Sequence, residues 1–574
     1  YTRGIIPTSI IYLKIIMTEY AIGIDLGTTH SSIAVWKDDK PILIPNALGE
    51  YLTPSVVSYD NGHILVGKAA YYRKFTHPEC TVSRFKRSLG SSKTYRLADK
   101  YFNPRELCSI VLSALKKDAE SYLGVEVVDV VVSVPAYFND QQRKEIRLAA
   151  DMAGLNAARL INEPTAAALA YHVEQKDHGQ YLVFDLGGGT FDVSLVEYTA
   201  GIIKVLASSG NNRLGGDDFT EDLVDVVLER VGGERETTSL KEMQTIYEAC
   251  EKAKTHYSKS MRIAYTFKNA CGAIERGLYF SENDLDTIWR STLRKLKQPL
   301  KQSLKDANVH VSEIDDVIFV GGASRLPHVQ KMATRLLNRF GPRDLDPETI
   351  VCLGAATQAA YRLKHKAIDD LVMTDVCPYS LGVAAEINGQ SDIFSPVLDR
   401  NTTVPTSRVQ RYYTKDDAED EIIISIYQGE SFWAKDNIHI DNIAVDVSSC
   451  SENHPIDVRF SYDVNGLLAV DVDVVDKPIQ VEKIIDISPA GISETQLKES
   501  REKLSQLKVH PRDKMVNIVM LNQLHKLYEE QLGYARKSIE GLLISFEDAL
   551  STQDTRYIDK SRQHISTILA DQYD

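Results

Sequence analysis

Two stretches of the chain share one pattern: an apolar run, an aspartate at its carboxyl end, then glycine and threonine. In AIGIDLGTTHSS (21–32) the run holds Ile22 and Ile24, and in YLVFDLGGGTFD (181–192) it holds Leu182, Val183 and Phe184. Such runs between turn signals predict strands buried on both faces, as in the sheets of α/β domains. A third run, DDVIFVGGASRLP (315–327), also enters a Gly-Gly turn from an apolar strand. Helices are predicted where Asn139 and Gln142 have capping-box spacing ahead of KEIRLAADMA, and where Glu163-Pro164 follows ARLI, because proline and a carboxylate both suit a first helical turn. From 375 to about 490 the strands become short and the turns frequent. IDVRFSYD alternates apolar and polar positions, and Asn465-Gly466 favours a tight hairpin into LLAVDVDV. Ser493 and Gln496 repeat the capping-box spacing, and the chain from there to 574 reads largely helical.

With 574 residues the chain exceeds the size at which a single core stops growing, about 250–300 residues, so several domains are expected. Hydrophobic residues at 43% and charged residues at 25% exclude wholesale disorder. A formal charge of −14 repels a phosphate backbone, which argues against nucleic acid as a main partner. The seven cysteines are widely spaced and form no CxxC, so they signal neither zinc nor a disulfide framework and suit reduced thiols in a cytoplasmic protein. The one membrane-like stretch, YTRGIIPTSIIYLKII, contains Pro7 and Lys14 and is too short to span a bilayer. Met17 is the expected start, and residues 1–16 are read as a non-native or leader segment.

The strand ends carry the chemistry. Glycine lets backbone N–H groups approach an anion closely, and a threonine hydroxyl adds a donor, so a Gly/Thr turn is a phosphate cradle. A carboxylate beside it makes sense if Mg²⁺ with its retained waters lies between the two negative groups. Asp25 and Asp185 are candidate metal-side carboxylates, with Asp192 as a third. One DLGT copy alone would be an ordinary hairpin. Two copies imply two similar α/β halves that clamp a polyphosphate from both sides.

GIDLGTTHS, FKR, VVSVPAYFND, INEPTAAALAY, FDLGGGTFDVS, LGGDDF, CEKAK and VGGASR, in this order, resemble the ATPase domain of the seventy-kilodalton heat-shock chaperones, the DnaK family. The likeness spans about residues 20–510, and GEYLTPSVVS with the short C-terminus is most similar to the HscC-type bacterial branch. The resemblance implies an actin-like ATPase domain over 17–368, a linker at 369–374, a β-sandwich peptide-binding domain over 375–490 and a helical lid over 491–574. It places Gly27, Thr28 and Thr29 on the phosphates from one half, and Gly187, Gly188, Gly189 and Thr190 from the other. Lys86 would orient the hydrolytic water, although RFKRSL by itself reads as a solvated basic face that Arg84 and Arg87 would suit. Glu163 would stand near the metal, and Pro135 and Arg143 would form an interdomain switch pair.

At the nucleoside end the resemblance implies Glu251, Lys254 and Ser258, which lie at i, i+3 and i+7 of a helix, with Gly215, Gly216, Gly321, Gly322, Arg325 and Glu348. Three positions depart from the family: His30 for asparagine, Ala323 for serine, and Thr255 where an arginine commonly stacks on adenine. Losing that stack weakens nucleotide affinity by about 0.5–2 kcal/mol and favours fast exchange. Leu371, Val372 and Met373 would be an apolar linker that docks in one nucleotide state; a buried strand edge is the plain alternative. Ile422 and Ile424 would line or support the peptide groove, and an ordinary sandwich core fits Ile424 equally well.

The resulting expectation is an ATP-hydrolysing chaperone, mainly monomeric, with Mg²⁺ and K⁺ as ions. Its partners would be extended apolar peptides, a J-domain cochaperone and a nucleotide-exchange factor, with no membrane. A small-molecule kinase or a filament-forming actin relative is the alternative on the same fold. The β-rich module after the linker weighs against both.

Overall fold

In the computed structural model, residues 20–573 are described apart from 61, 175–177, 200–201, 258–259, 269–273, 340, 342–344, 364–371, 388, 415–419, 463–467, 486–507, 510–511, 532 and 552–554. The leader segment 1–16, Ser258, Leu371, the Asn465-Gly466 turn and the Ser493/Gln496 pair therefore lie outside the described residues.

The apolar run before Asp25 forms strand β1 (Ile22–Asp25), which folds back into β2 (His30–Lys37) and β3 (Lys40–Leu43). A smaller sheet follows with β4 (Val56–Asp60) and β5 (His63–Val66), then helices α1 (Lys68–Thr76) and α2 (Pro104–Leu123). Strand β6 (Asp129–Val134), helix α3 (Asp140–Met152), strand β7 (Asn156–Asn162) and helix α4 (Glu163–Glu174) complete the first lobe. The Asn139/Gln142 capping box opens α3 as its spacing predicts.

The second lobe repeats the plan with β8 (Gly179–Leu186), β9 (Phe191–Thr199) and β10 (Ile202–Asn211). Helices α5 (Gly216–Val231), α6 (Leu240–Thr255) and α7 (Arg290–Ala307) cover one side, followed by β11 (Asp316–Val320) and α8 (Ile350–Arg362). The main sheets run β7-β6-β1-β2-β3 and β11-β8-β9-β10. In each, an antiparallel meander has a parallel strand beside its first member. The duplicated sequence pattern is thus a duplicated topology. Helices α4 and α8 cross where a methyl added at Gly354 would overlap the Ala166 carbonyl, so only glycine permits that approach.

Of residues 369–374, expected to be a linker, 372–374 are described, and they lie in β12 (Val372–Val376), parallel to β10 with Ile202 opposite Val372 and Lys204 opposite Thr374. The free edge of β10 offers backbone partners to an extended apolar segment, which is why the joining segment becomes sheet.

Two four-stranded antiparallel sheets follow. One holds β13 (Leu381–Ile387), β14 (Gln390–Leu398), β16 (Glu421–Gln428) and β17 (Ile438–Asp446); the other holds β15 (Thr406–Tyr413), β18 (Pro455–Tyr462), β19 (Leu468–Val474) and β20 (Ile479–Ile485). Their facing residues, including Leu381, Ile426, Val445, Phe460 and Val470, form one core. The carboxyl-terminal segment is not helical throughout, because Lys508–Val509 (β21) adds in parallel to the edge of β5. Helices α9 (Arg512–Glu530), α10 (Gly533–Ser551) and α11 (Thr555–Tyr573) then pack around Leu524, Ile539, Phe546 and Ile565. Among the described residues no helix is long and apolar enough to cross a membrane.

Candidate functional site

A cavity of about 380 Å³ lies between the lobes where the two hairpin turns face each other. Gly27, Thr28 and Thr29 line it from the β1–β2 turn, and Gly187, Gly188 and Thr190 from the β8–β9 turn. The turns meet so closely that a methyl at Gly188 would fall on the Thr29 hydroxyl. The second turn is also tied to the start of α5, since Gly216 N–H donates to Gly187 O (2.8 Å) and Asp217 N–H to Gly188 O (2.9 Å). Gly189 and Gly215 support the turn without lining the cavity: Gly189 lies against Arg87 and Gly215 against Gly188.

Strand ends supply the carboxylates. Asp25 ends β1 and accepts a hydrogen bond from Ser133 Oγ (2.6 Å), a partner that nothing in the sequence spacing signals. Burial, then the nearby Glu163 carboxylate, pushes the Asp25 pKa up to about 6. Asp185, opposite Asp192 across the β8–β9 pair, is raised by burial and by Glu163, Asp192 and Asp25. Asp192 stands behind the cavity, where burial and then Glu163 push it up to about 8, while the Ala136 and Tyr137 amides act against the rise. Lys86 is 3% exposed and its Nζ donates to Glu163 Oε1 at 3.0 Å. Burial disfavours its charge, but Glu163 and Asp25 outweigh that and hold the ammonium charged. The solvated basic face that the sequence permits is therefore not what Lys86 forms.

Four carboxylates, Asp25 half-buried and Glu163, Asp185 and Asp192 buried, thus share one ammonium. Asp185 Oδ2 is buried with no hydrogen-bond partner among the described residues. Among those residues there is also no His/Cys/Asp/Glu cluster able to grip a metal directly. The unpartnered oxygen fits Mg²⁺ held through its own waters, the mode a small, reluctantly dehydrated cation prefers.

The far end of the cavity is lined by Gly216, Glu251, Lys254, Gly321, Gly322, Arg325 and Glu348. Lys254 donates to Gly216 O and Thr220 Oγ1, both at 2.8 Å, and pairs with Glu251 at 2.7 Å. Burial alone would raise the Glu251 pKa, but Lys254 lowers it on balance. Arg325 stays at the rim, 2.7 Å from Asp346. Helix α6 stops at Thr255 with His256 as its C-cap, and Ser258, the third residue of the expected face, lies outside the described residues. Thr255 and Tyr257 also line the cavity, as does Asp217, whose signal was the LGGDDF motif.

A family model described as "Hsp70 protein" matches residues 21–95 and 92–573. The chain belongs to the Hsp70 family. Chaperone protein DnaK of Thermosipho africanus (strain TCF52B) is 38% identical over 467 residues, covering 79% of this chain and 77% of that protein. Chaperone protein DnaK of Thermosipho melanesiensis (strain DSM 12029 / CIP 104789 / BI429) is 37% identical over 467 residues, covering 79% and 78%. As a DnaK-type Hsp70 the protein is an ATP-dependent chaperone that hydrolyses ATP, binds nucleotide with Mg²⁺ and engages unfolded peptides and cochaperones.

Outside the cleft, this Hsp70 places Pro135 at the end of β6, buried, with its carbonyl accepting from Phe138 N–H at 3.2 Å. Arg143 grips the same loop, donating to Phe138 O (3.1 Å), Ala136 O (3.2 Å) and Asn162 Oδ1 (2.6 Å). From the sandwich side, Tyr379 donates to Tyr137 O at 3.0 Å and the two rings lie 4.6 Å apart. Asp140 accepts from Gln428 Nε2 (2.6 Å) and Tyr462 OH (3.0 Å). Ile424 points into the sandwich core and Ile422 packs half-buried against the same core, whereas Ile423 between them is 65% exposed.

Proposed function

We propose that the interlobe cleft is the ATPase centre and that the named residues divide the work there. The observation that carries this reading is the convergence of two phosphate-cradle turns on one buried Lys86–Glu163 pair. Phosphoryl transfer asks a protein mainly for positioning and charge stabilisation. Gly27, Thr28 and Thr29 hold the polyphosphate from one lobe, and Gly187, Gly188 and Thr190 from the other, with Gly189 shaping that turn from behind. Lys86, held by Glu163, orients the attacking water and balances charge on the transferred phosphoryl group. Asp25 and Asp185 would hold Mg²⁺ through its waters, with Asp192 behind them. When bound, the metal neutralises phosphate charge, and K⁺ is a second ion that the carboxylate-rich floor would accept. Glu251, Lys254, Arg325 and Glu348 take the nucleoside, with Gly216, Gly321 and Gly322 leaving room for it and Gly215 packed against Gly188 behind them.

In this reading residues 17–368 are the ATPase domain, 375–490 the peptide-binding sandwich and 491–574 the lid, in a cytoplasmic protein of the HscC-type branch. Ile422 and Ile424 support the peptide site, while Pro135, Arg143 and the 371–372 joint transmit the nucleotide state. A J-domain cochaperone and an exchange factor complete the cycle. The test is Lys86→Ala. Its single-turnover ATP hydrolysis should fall by about 10²-fold or more while ATP affinity changes only a few-fold, since a group acting on the transition state leaves ground-state binding in place. Hydrolysis at the parent rate would make Lys86 a structural partner of Glu163 and nothing more.

A further inference from the structure

The turn that carries Lys86 belongs to the first lobe, yet it is tied to the second lobe on both sides of the lysine. Lys86 lies in the single 3-10 turn Phe85–Ser88, and Phe85 anchors that turn in the first-lobe core at 2% exposed. Arg87 leaves the turn toward the other lobe. Its Nε donates to Gly189 O at 3.1 Å, and its Nη2 donates to Gly188 O at 3.3 Å and to Asp218 Oδ2 at 2.7 Å. Asp218 also accepts from Gly215 N–H at 2.8 Å, so one carboxylate joins Arg87 to the entry of α5. Arg84 reaches the same lobe by another route. Its Nη1 donates to Glu221 Oε1 at 3.0 Å, and its guanidinium lies over the Tyr247 ring at 4.5 Å. It holds a left-handed φ of 60°, a conformation kept by a non-glycine residue only where its surroundings fix it.

We infer that Arg87 is a positioning residue for ATP hydrolysis, setting Lys86 against the second phosphate turn, with Arg84 as a second anchor. The inference rests on the reading of Lys86 as the lysine that orients the attacking water. Lys86 and the glycine turn sit on different lobes, so without a tie their separation would follow every movement of the lobes. Misplacement by about 1 Å can cost 10²-fold in rate. An arginine fits the task where a lysine does not, because its planar fork engages two adjacent carbonyls and a carboxylate at once.

The experiment measures single-turnover hydrolysis and ATP Kd for Arg87→Ala, Arg87→Lys, Lys86→Ala and the Lys86→Ala/Arg87→Ala double variant. Arg87→Ala should hydrolyse ATP about 10- to 100-fold slower with Kd within about threefold of the parent. Arg87→Lys should lie between Arg87→Ala and the parent. The double variant should be no slower than Lys86→Ala alone, because a residue acting through Lys86 has nothing to position once the amine is gone. A double variant slower than Lys86→Ala overturns the proposal, as does a parent-like rate in Arg87→Ala or a loss confined to Kd. If Arg87→Ala does not fold, Arg87→Lys decides alone: a slower rate at unchanged Tm supports the role and a parent rate removes it. A parent-like rate in Lys86→Ala would instead defeat the reading of the lysine, and the positioning role with it.

Discussion

At the scale of single residues, the cleft concentrates negative charge that the nucleotide-free protein must tolerate. Asp25 is raised to about 6 and Asp192 to about 8, each above its ordinary value of 3.8, with burial as the main cause. A carboxylate whose folded pKa exceeds its unfolded one binds protons more tightly in the native state. Its stabilising contribution is therefore present at acid pH and is lost as pH rises toward the folded value. The Tm of the nucleotide-free protein should accordingly fall between about pH 5 and pH 8. Asp192→Asn cannot ionise and should flatten the upper part of that decline, as should Mg²⁺ with nucleotide. An identical slope in Asp192→Asn would show that Asp192 does not titrate in this window. Why these groups shift was not visible in the sequence: Asp25 ends one readable strand and Asp192 lies at the start of another, but Ser133 reaches Asp25, and Glu163 and Lys86 reach both, only through the fold.

At the scale of elements, α9 is the piece with no counterpart in the sequence reading beyond its helicity. Val519 packs beside Leu65 and Ala69, and Asn522 Nδ2 donates to Ala69 O at 3.0 Å, which seats α9 on the first lobe. Further along, Lys526 pairs with Glu248 at 2.9 Å, and Lys241 pairs with Glu529, so the same helix also holds α6 of the second lobe. Beneath it lies a chamber of about 830 Å³ lined by Tyr71, Tyr72, Tyr247 and Lys74. The helix thus straps the cleft mouth. Lys526→Glu would set two like charges face to face at a site only about one-fifth exposed. ATP dissociation should then quicken roughly three- to tenfold, equivalent to about 1 kcal/mol, while exchanging the charges with Glu248→Lys in the same chain should restore it. Stopped-flow release of a fluorescent ATP analogue reads this out. Unaltered release would mean that the second-lobe contacts of α9 carry no load.

At the scale of the whole molecule, a short series of contacts connects the cleft with the sandwich. The Ala136 and Tyr137 amides face Asp192, Arg143 holds the same loop from behind, and Tyr379 of the sandwich grips the Tyr137 carbonyl. Arg400 and Asn401 add a second attachment through Asp306 on α7, at 2.9 and 3.0 Å. Tyr379→Phe removes one hydrogen bond and keeps the ring, a loss of about 0.5–1.5 kcal/mol. That should shift the docked population several-fold toward the undocked one. ATP should accelerate peptide release less, and peptide should stimulate hydrolysis less, because coupling between binding sites is reciprocal. Peptide dissociation followed by fluorescence in ATP and in ADP distinguishes the outcomes: a change in ADP alone would place Tyr379 in peptide binding and not in coupling.

Chemistry that is local along the chain was readable from the chain. A strand, its terminal aspartate, glycines and a threonine are contiguous, so both phosphate turns and the repeated half could be read from spacing, as could the Asn139/Gln142 cap. What periodicity reports is which face of an element is apolar, and not what will cover it. Arg84, Lys86 and Arg87 look alike in RFKRSL, yet folding buries the lysine on Glu163, 77 positions away, and sends both arginines to the other lobe. The joining segment at Val372 could be linker or strand until β10 presented an open edge to it. Likewise, Lys508–Val509 became sheet only because β5 lay beside it. In each case the deciding partner is distant in sequence, and the free energy that selects the conformation, from burial, pairing or an edge hydrogen bond, exists only once the tertiary structure brings that partner within reach.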